Sequence, residues 1–494
     1  MKTFSCFTLF LALVGLATAP ALQAQTFTTL YNFSATNYDA ALGYPIIVGL
    51  PPTGMTNSDG DNASGTLILS GNTLYGTANE GGSYADGTIF AVGTNGTGFT
   101  TLYNFTNGDD GAFPYTGLVF GGTNLYGTAL EGGDYDWGTV FAVATNGTGF
   151  TTLHSFTGES SDGSYPYAGL VFSNDTLYGM VDSPTTLSGG GMIFDINTSD
   201  PAYSRLFLFQ MSQGYALGSQ LILSGTNLYG VAMEGGLYNN GTVFKVGTNG
   251  AGFKALHTFT ASTGFWPHIF NSDGAYPHGG LLLTGNTLYG TTASGGSSAS
   301  GTIFAVNTDG SGFTNLYIFS PTNSAGYNND GARPESTLVL SGRMLYGTAY
   351  QGSSAGDGTI FAINTNGTGF VNVHTFIGGN DGAGPLCGLT SAGNILYGIT
   401  SAGGTNNTGA IFSLTLPPAM PVIANLSLAG PNLVINAIGQ GSGTYETLMS
   451  TNPLSPFSEW TPVATNILSA SGSFSVTNVI NPNRPQCFYM LQAR

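Results

Sequence analysis

Apolar and polar residues alternate along most of this chain in short runs separated by glycine-rich turns. Between residues 117 and 156 four such runs follow one another: Gly117–Phe120, Leu125–Ala129, Gly138–Val143 and Phe150–Phe156. Runs of this length with a two-residue period predict β-strands, and the Gly-, Asn- and Thr-rich segments between them predict tight turns. The pattern predicts four antiparallel strands, named A, B, C and D here in chain order, and no helix of useful length.

The same four-strand unit recurs along the chain. The Leu-Tyr-Gly phrase of strand B occurs seven times, with its tyrosine at Tyr75, Tyr126, Tyr178, Tyr229, Tyr289, Tyr346 and Tyr397. The successive separations are 51, 52, 51, 60, 57 and 51 residues. A repeat of about 40 to 50 residues made of short strands is typical of a β-propeller blade. We therefore expect an all-β fold, a seven-bladed β-propeller over residues 26–415, with an open solenoid of β-hairpins as the alternative.

The two ends of this repeat region complement each other. Strand D is missing after Phe412, where the chain continues into Leu416-Pro417-Pro418. A surplus strand D, Thr28–Phe33, lies at the other end and nearly repeats Thr100–Phe105. We predict that the N-terminal strand completes the seventh blade and closes the ring, which would leave no unpaired blade edge.

The segments outside the repeat have different compositions. Residues 1–24 combine Lys2 with an apolar stretch and small residues, the pattern of a signal peptide. Residues 416–421 form a proline-rich linker. Residues 422–494 contain five or six strand-like runs and predict a small β-sandwich of the immunoglobulin or fibronectin III type. Because no later stretch reaches about 18 apolar residues, we expect no membrane span.

Charge narrows the choice of partners. Only 7% of the residues are charged, and 8 basic against 25 acidic residues give a formal charge of −17. The electrostatic field of such a net negative charge repels nucleic acid and anionic membrane surfaces but is compatible with binding of cations, neutral glycans and basic proteins. We expect a monomer, secreted to the extracellular space or surface of a bacterium, with the periplasm as the alternative. Whether Cys387 and Cys487 are bridged stays open.

The D-to-A and B-to-C loops share one end of the blades, called the loop rim here. The regular spacing breaks on this rim, in enlarged loops at Ser34–Gly60, Ala261–Gly274 and Ser320–Gly331. Aromatic residues beside acids and amides are typical of sugar-binding surfaces. The candidate ligand-binding residues are Phe265, Trp266, His268, Asp273, Tyr276, Tyr327, Asp330, Glu131, Asp134, Asp136 and Glu234.

Plainer interpretations of these residues remain open. The aromatic residues could only plug the ring entrance, and each Asp of the recurring Asp-Gly pairs could only cap a turn. Together the acids could also form a weak Ca²⁺ site. His154, His257 and His374 occupy the strand D position held elsewhere by tyrosine, which favours a structural role over metal binding.

Catalytic signatures are absent from the sequence. We find no Gly-x-Ser-x-Gly, no His-Glu-x-x-His and no Cys/His cluster with metal spacing. No catalytic residue and no cofactor other than that Ca²⁺ is therefore predicted. We expect a non-catalytic binding or surface-structure protein that recognises glycan or protein through the loop rim. A polysaccharide lyase or hydrolase acting in the propeller mouth is the alternative.

Five phrases recur in fixed order: Leu-Tyr-Gly-Thr, Glu/Ser-Gly-Gly, Gly-Thr-Ile/Val-Phe, Leu-Tyr/His-x-Phe and Asp-Gly-Ala-x-Pro. In these phrases the chain resembles the GloVer, or choice-of-anchor, tandem-repeat proteins over about residues 26–415. The C-terminal stretch around Tyr445 and Trp460 is similar to a sandwich module appended to secreted proteins of such bacteria. The resemblance implies an exported bacterial protein and carries over no catalytic residue.

Overall fold

The structure is a computed structural model that describes residues 25–38, 55–182, 189–215, 218–265 and 268–417. In the C-terminal part it describes 422–429, 432–438, 444–452, 455, 459–467, 473–479 and 488–493. The predicted signal peptide lies outside these residues. The regular secondary structure of the described residues consists of β-strands and of one 3₁₀ turn at Gly379–Asp381. No helix in these ranges is long and apolar enough to cross a membrane.

Seven four-stranded antiparallel sheets are formed by the described residues between 26 and 415. In the first six, strands A to D pair in chain order. Sheets 1 and 2 consist of Ile68–Ser70, Thr73–Ala78, Thr88–Gly93 and Thr100–Asn104, then Val119–Gly121, Asn124–Ala129, Thr139–Ala144 and Thr151–Ser155. Sheets 3 and 4 consist of Val171–Ser173, Thr176–Val181, Gly189–Asn197 and Tyr203–Gln210, then Ile222–Ser224, Asn227–Ala232, Thr242–Gly247 and Lys254–Thr258. Sheets 5 and 6 consist of Leu282–Thr284, Thr287–Thr292, Thr302–Asn307 and Thr314–Ile318, then Val339–Ser341, Met344–Ala349, Thr359–Asn364 and Val371–Thr375.

The seventh sheet joins the two ends of the repeat region. Its strands A to C are Thr390–Ala392, Ile395–Thr400 and Ala410–Thr415, and its fourth strand is the N-terminal Thr26–Asn32. The Phe33 amide donates a hydrogen bond to the Gly409 carbonyl oxygen at 3.3 Å, and the Thr408 hydroxyl donates to the Phe33 carbonyl oxygen at 2.9 Å. The predicted pairing of the N-terminal strand is therefore confirmed.

An aromatic stack connects each sheet to the next. A Tyr, His or Phe of strand D lies flat on the aromatic residue that precedes or begins strand D of the following sheet. Tyr103 stacks on Phe150 with ring centroids 3.9 Å apart. The N-terminal strand supplies both halves of this contact, because Phe27 stacks on His374 at 3.9 Å and Tyr31 stacks on Phe99 at 4.1 Å. The stacked pairs between the other sheets are His154–Tyr203, Phe207–Phe253, His257–Phe313 and Tyr317–Phe370.

The aspartate of the Asp-Gly pair ties the end of strand D to the loop that follows. The Asp110 carboxylate accepts hydrogen bonds from the Tyr103 hydroxyl and from the Thr106 amide, both at 3.0 Å. We call this contact the aspartate clasp. It recurs with Asp59, Asp162, Asp273 and Asp330. At Asp381 the arrangement is looser, with His374 Nε2 3.3 Å from the carboxylate and the Ile377 amide donating to it at 3.4 Å.

Sheet 3 keeps only half of the clasp, because Phe207 stands at the Tyr/His position and Gln213 at the Asp position. The Gln213 side-chain oxygen accepts a hydrogen bond from the Gln210 amide at 2.9 Å, and Phe207 donates none. In the clasp of Asp162, burial opposes ionisation. Hydrogen bonds from His154 and Thr157 outweigh burial and hold the pKa of this carboxyl below its usual range.

The described C-terminal strands form two three-stranded antiparallel sheets. One contains Val422–Ala429, Asn432–Ile438 and Ser473–Val479, and the other contains Thr461–Ile467, Thr444–Ser450 and Phe488–Ala493. Buried Leu433, Ile435 and Val476 of the first sheet pack against Ala464 and Tyr489 of the second. Phe27–Ser391 and Leu396–Ser413 form one compact unit of the chain, and these C-terminal strands belong to another.

The aspartate clasp generates a stability prediction. We expect Asp110→Ala to lower the free energy of unfolding by about 1–3 kcal/mol, because it leaves the partly buried Tyr103 hydroxyl and Thr106 amide without their acceptor. The neighbouring exposed Asp109 is the matched control, and Asp109→Ala should stay within about 0.5 kcal/mol of the parent. Chemical unfolding checks both. Equal stability of the two variants would contradict the clasp.

The N-terminal strand generates a second prediction. Phe33 and Phe105 occupy equivalent, fully buried positions in sheets 7 and 1. If the N-terminal strand is as integral as an internal one, Phe33→Ala and Phe105→Ala should each cost about 3–5 kcal/mol. The exposed Phe270 provides a control whose replacement by alanine should be nearly neutral. A Phe33→Ala protein that unfolds like the control would show that the strand is not integrated.

Candidate functional site

The three enlarged loops share an anchor at their base. Asn271 accepts hydrogen bonds at Oδ1 from the amides of Gly274 and Gly296, at 2.9 and 3.0 Å. Its Nδ2 donates to the carbonyl oxygens of Thr260 and Gly274. Asn57 and Asn328 make the same four contacts in the other two loops. Each insertion therefore lies between the end of strand D and an asparagine two residues before the clasp aspartate.

Beyond these anchors, the insertions contain short hairpins and exposed side chains. Thr263–Phe265 pairs with His268–Phe270, and His268 is exposed. Asn37–Tyr38 pairs with Met55–Thr56 at the base of the first loop. Tyr327 is 42% exposed. Trp266, like residues 39–54, lies outside the described residues, so the predicted plug at the ring entrance stays a prediction.

Two of the predicted ligand-binding acids belong to the clasp. Asp273 accepts hydrogen bonds from His257 Nε2 at 2.9 Å and from the Thr260 amide at 3.1 Å. Asp330 accepts from the Tyr317 hydroxyl at 2.7 Å. Both side chains are buried. Their observed partners belong to the scaffold, and a ligand contact by either carboxylate stays a prediction.

The three acidic residues of the second B-to-C loop, Glu131, Asp134 and Asp136, lie in different surroundings. Burial, with a smaller contribution from the charge of Asp136, raises the pKa of Glu131. The Asp136 Oδ1 accepts a hydrogen bond from the Gly132 amide at 3.2 Å. Asp134 is exposed and lines a groove of about 330 Å³ together with His154 and Ser155. The structure thus places Glu131 and Asp136 together and Asp134 on a separate groove.

Glu234 and Tyr276 come together on the rim. Burial, followed by the charge of Glu234, raises the pKa of Tyr276. Tyr215, which precedes strand A of sheet 4, also lies beside Glu234, and its hydroxyl donates to Asn239 Oδ1 at 3.0 Å. The predicted Glu234–Tyr276 combination is therefore a local pair of acid and phenol.

Sequence reasoning missed a further group, which we call the tyrosine cluster: Tyr115, Tyr165, Tyr167 and Tyr350 with Glu131, Arg333 and Glu335. Tyr115 and Tyr167 have ring centroids 6.0 Å apart, and Tyr165 lies 6.5 Å from Tyr167. The Arg333 guanidinium lies 5.2 Å from the centroid of the Tyr350 ring and pairs with Glu335 at 2.7 Å.

Tyr115 connects the parts of this cluster. Burial first, and then the neighbouring Glu335, Cys387, Tyr167 and Tyr350, raise the pKa of Tyr115 to about 12. Tyr115 precedes strand A of sheet 2, whereas Glu335 and Cys387 precede strand A of sheets 6 and 7. Residues from such distant sheets meet because the segments leading into strand A converge.

Packing beneath the cluster is tight. A Cβ atom on Gly117 would lie 2.7 Å from the Thr66 carbonyl oxygen, so a larger residue there would push sheets 1 and 2 apart.

The buried Cys387 thiol donates to the Ser64 carbonyl oxygen at 2.8 Å, which joins sheet 7 to sheet 1. Burial raises the pKa of this thiol to about 12, so it stays protonated at neutral pH. Cys487 is outside the described ranges, and a bridge to it stays untested.

One sequence signal could have identified the cluster. Tyr165, Tyr167, Arg333 and Glu335 flank the proline of the Asp-Gly-x-x-Pro phrase, and Tyr115 follows it. These are the positions that vary while the phrase around them repeats. Among the residues that the structure describes, no group of three or more His, Cys, Asp or Glu is arranged to hold a metal ion.

Comparison with solved structures gives weak likenesses. PorZ, a surface component of the type-IX secretion system of Porphyromonas gingivalis, is 11% identical with a TM-score of 0.46, over 91% of this chain and 60% of PorZ. TolB from Acinetobacter baumannii is 12% identical with a TM-score of 0.35, over 58% of this chain and 59% of TolB. An oligogalacturonate lyase in complex with manganese is 10% identical with a TM-score of 0.43, over 80% of this chain and 97% of the lyase.

The chain thus spans about 60% of the length of PorZ and TolB, and these identities transfer no function to it. No curated protein matches the sequence significantly. The family comparison is decisive, because the Gloeobacter/Verrucomicrobia repeat matches residues 50–226, 121–271 and 265–452, which is most of the chain. The protein belongs to the Gloeobacter/Verrucomicrobia repeat family.

Proposed function

We propose that this is a secreted, non-catalytic bacterial protein that binds a glycan through the tyrosine cluster. In this proposal the seven sheets are the blades of a closed β-propeller, and the C-terminal sheets form an immunoglobulin- or fibronectin III-like sandwich. The aromatic stacks between successive sheets, including those made by Phe27 and Tyr31, support the closed ring. The signal-like pattern of residues 1–24 supports secretion to the extracellular space or cell surface.

The composition of the tyrosine cluster carries the proposal. Tyr167 is 38% exposed and lies between the rings of Tyr115 and Tyr165. Partly exposed rings provide an apolar face on which a pyranose can stack, while hydroxyls and carboxylates at their edges bind its hydroxyl groups. Glu131, which is half-buried, supplies such a carboxylate, whereas the buried Glu335 is paired with Arg333.

A protein partner would use the surface differently. Protein interfaces need a buried patch of roughly 800 Å² on each partner, which extends well beyond a few rings. The exposed tyrosines of the B-to-C loops, Tyr84, Tyr135 and Tyr238, offer such a wider surface. A protein partner should therefore lose affinity when these B-to-C loop tyrosines are replaced, whereas a glycan bound to the tyrosine cluster should not.

Binding to a glycan panel tests the proposal. We expect Tyr167→Ala to weaken binding of the best oligosaccharide by roughly tenfold or more, because a central aromatic contact is lost. Tyr135, which is 57% exposed on the same rim, is the matched control, and Tyr135→Ala should bind like the parent. Calorimetry or glycan-array binding measures the difference. An effect at Tyr135 alone, or no binding to any glycan, would contradict a glycan site in the cluster.

The alternative function is a polysaccharide lyase or hydrolase, and one observation favours it. Burial and Asp136 raise the pKa of Glu131, which would help this group to keep the proton that a general acid must donate.

If the protein cleaves a glycan, Glu131→Gln should abolish product release, because an amide cannot transfer the proton. The exposed Glu159 supplies a matched control, and Glu159→Gln should keep full activity. Because the pKa of Glu131 is raised, the rate should fall as pH rises and the acid loses its proton. Binding without turnover by the parent protein would exclude the alternative for the glycans tested.

A further inference from the structure

One backbone feature recurs in the segments that lead into strand A. The residue two positions after the Asp-Gly pair adopts a left-handed conformation, with φ of 51° at Asn62, 56° at Phe113, 49° at Tyr165, 57° at Tyr276 and 55° at Arg333. Bulky residues rarely adopt this conformation, which crowds Cβ against the backbone and is retained when something else requires it. Five such residues at one position of a repeat are not accidents of single loops.

The backbone of the loop does not need a side chain at this position, although the Tyr165 ring meets that of Trp137 edge-on with centroids 5.1 Å apart. Gly384 occupies the same position before sheet 7, with φ of 62°. Its amide donates to the Asp357 carbonyl oxygen at 3.0 Å, and its carbonyl oxygen accepts from the Ser401 amide at 3.1 Å. Phe113 makes the equivalent backbone contacts with Asp86 and Leu130. Glycine, which adopts this conformation without strain, therefore builds the same loop.

Four of the five side chains lie beside a carboxylate. Asn62 Nδ2 donates to Glu80 Oε1 at 3.3 Å, and Arg333 Nε donates to Glu335 Oε1 at 2.9 Å. Glu131 and Asp136 follow burial among the causes that raise the pKa of Tyr165, and Glu234 has the same effect on Tyr276. Phe113 adds an apolar ring. The position thus presents hydrogen-bond donors and rings in an acidic environment, with its one guanidinium neutralised by Glu335.

We propose that Asn62, Phe113, Tyr165, Tyr276 and Arg333 are the specificity-determining residues of the loop rim and select glycans that lack carboxylate and sulfate groups. This inference rests on the proposed glycan-binding function and specifies its ligand class. Strain held at positions where glycine suffices is expected when the side chains serve binding.

Charge explains the selection. At each of these positions an uncharged sugar can donate a hydroxyl to the neighbouring carboxylate and accept from the tyrosine hydroxyl or, at Asn62, from the side-chain amide. A uronate or sulfate brought to the same place would lie within a few ångströms of like charges such as Glu131 and Glu234, with no unneutralised cation among these five residues. Like charges at such distances repel each other strongly where water is partly excluded. Amine-bearing glycans meet no such repulsion.

A glycine scan separates binding from scaffold roles. Tyr165→Gly should leave the melting temperature of the full chain unchanged or raise it, because the strain disappears, and should weaken glycan binding roughly tenfold or more. Tyr165→Ala should melt below Tyr165→Gly, since alanine keeps the strain. A fall in the melting temperature of Tyr165→Gly as large as that of Phe156→Ala, a buried core variant, would make the side chain a packing element and overturn the inference.

A ligand panel tests the selected class. Neutral, amine-bearing and uronate-containing oligosaccharides of equal length are titrated at low and moderate salt. We expect binding of the neutral or amine-bearing sugars and none of the uronate. Glu131→Lys should gain uronate binding, whereas Asp200→Lys, at an exposed turn after strand C of sheet 3, should not. Uronate binding by the parent protein equal to that of neutral sugars would overturn the selectivity and leave glycan binding intact. Failure to bind every sugar would overturn the glycan-binding function together with it.

Discussion

The structure of the repeat region depends on a stack of two aromatic rings at every junction between sheets. Each strand D supplies one ring near its start, such as Phe150, and a second ring four residues later, such as His154. The first ring lies on the preceding sheet and the second on the following sheet, so each strand D connects two neighbours. Because Thr26–Asn32 is itself a strand D, Phe27 and Tyr31 extend this relation from the last sheet to the first. The two rings at positions i and i+4 of each strand D therefore connect all seven sheets in one continuous series of stacks, in which the last sheet contacts the first.

The aspartate clasp depends on this stack. The hydroxyl or imidazole that donates to the clasp carboxylate belongs to the stacked ring. Stacking therefore holds the donor group in the position from which it reaches the carboxylate. Sheet 3 separates the two contacts. Phe207 keeps the stack on Phe253 at 4.8 Å but has no polar atom to donate, and Gln213 keeps only the contact with the backbone, accepting from the Gln210 amide at 2.9 Å. The stack therefore persists without the side-chain donor, and a neutral amide stands where a buried carboxylate would lack that donor at a cost in free energy.

Most of the architecture could be predicted from the sequence, because the repeat encodes it locally. The alternation of apolar and polar residues and the turn residues predict the four strands of each sheet. The absence of a strand D after Phe412 predicts that Thr28–Phe33 pairs with the last sheet, as the structure shows. The tyrosine cluster could not be predicted in the same way. Tyr115, Glu335 and Cys387 are separated by up to 272 positions, and their meeting depends on how the lead-in segments converge, which no local pattern records. Asp273 and Asp330 illustrate the converse: the sequence predicts ligand-binding acids on the rim, whereas their observed partners are His257 and Tyr317 of strand D and the backbone beside it.

The repeat therefore divides its positions into two kinds. Residues that recur, such as the Gly of Asp-Gly and the Tyr of Leu-Tyr-Gly, satisfy backbone hydrogen bonds and bury rings, and a change at one of them is felt by two sheets. The backbone of the residue before the lead-in proline needs no side chain to hold its place, as Gly384 demonstrates. Positions free of structural duty can accept large and strained side chains without loss of the fold. Variation at this position of the repeat therefore alters the rim while the stacked rings at every junction between sheets stay the same.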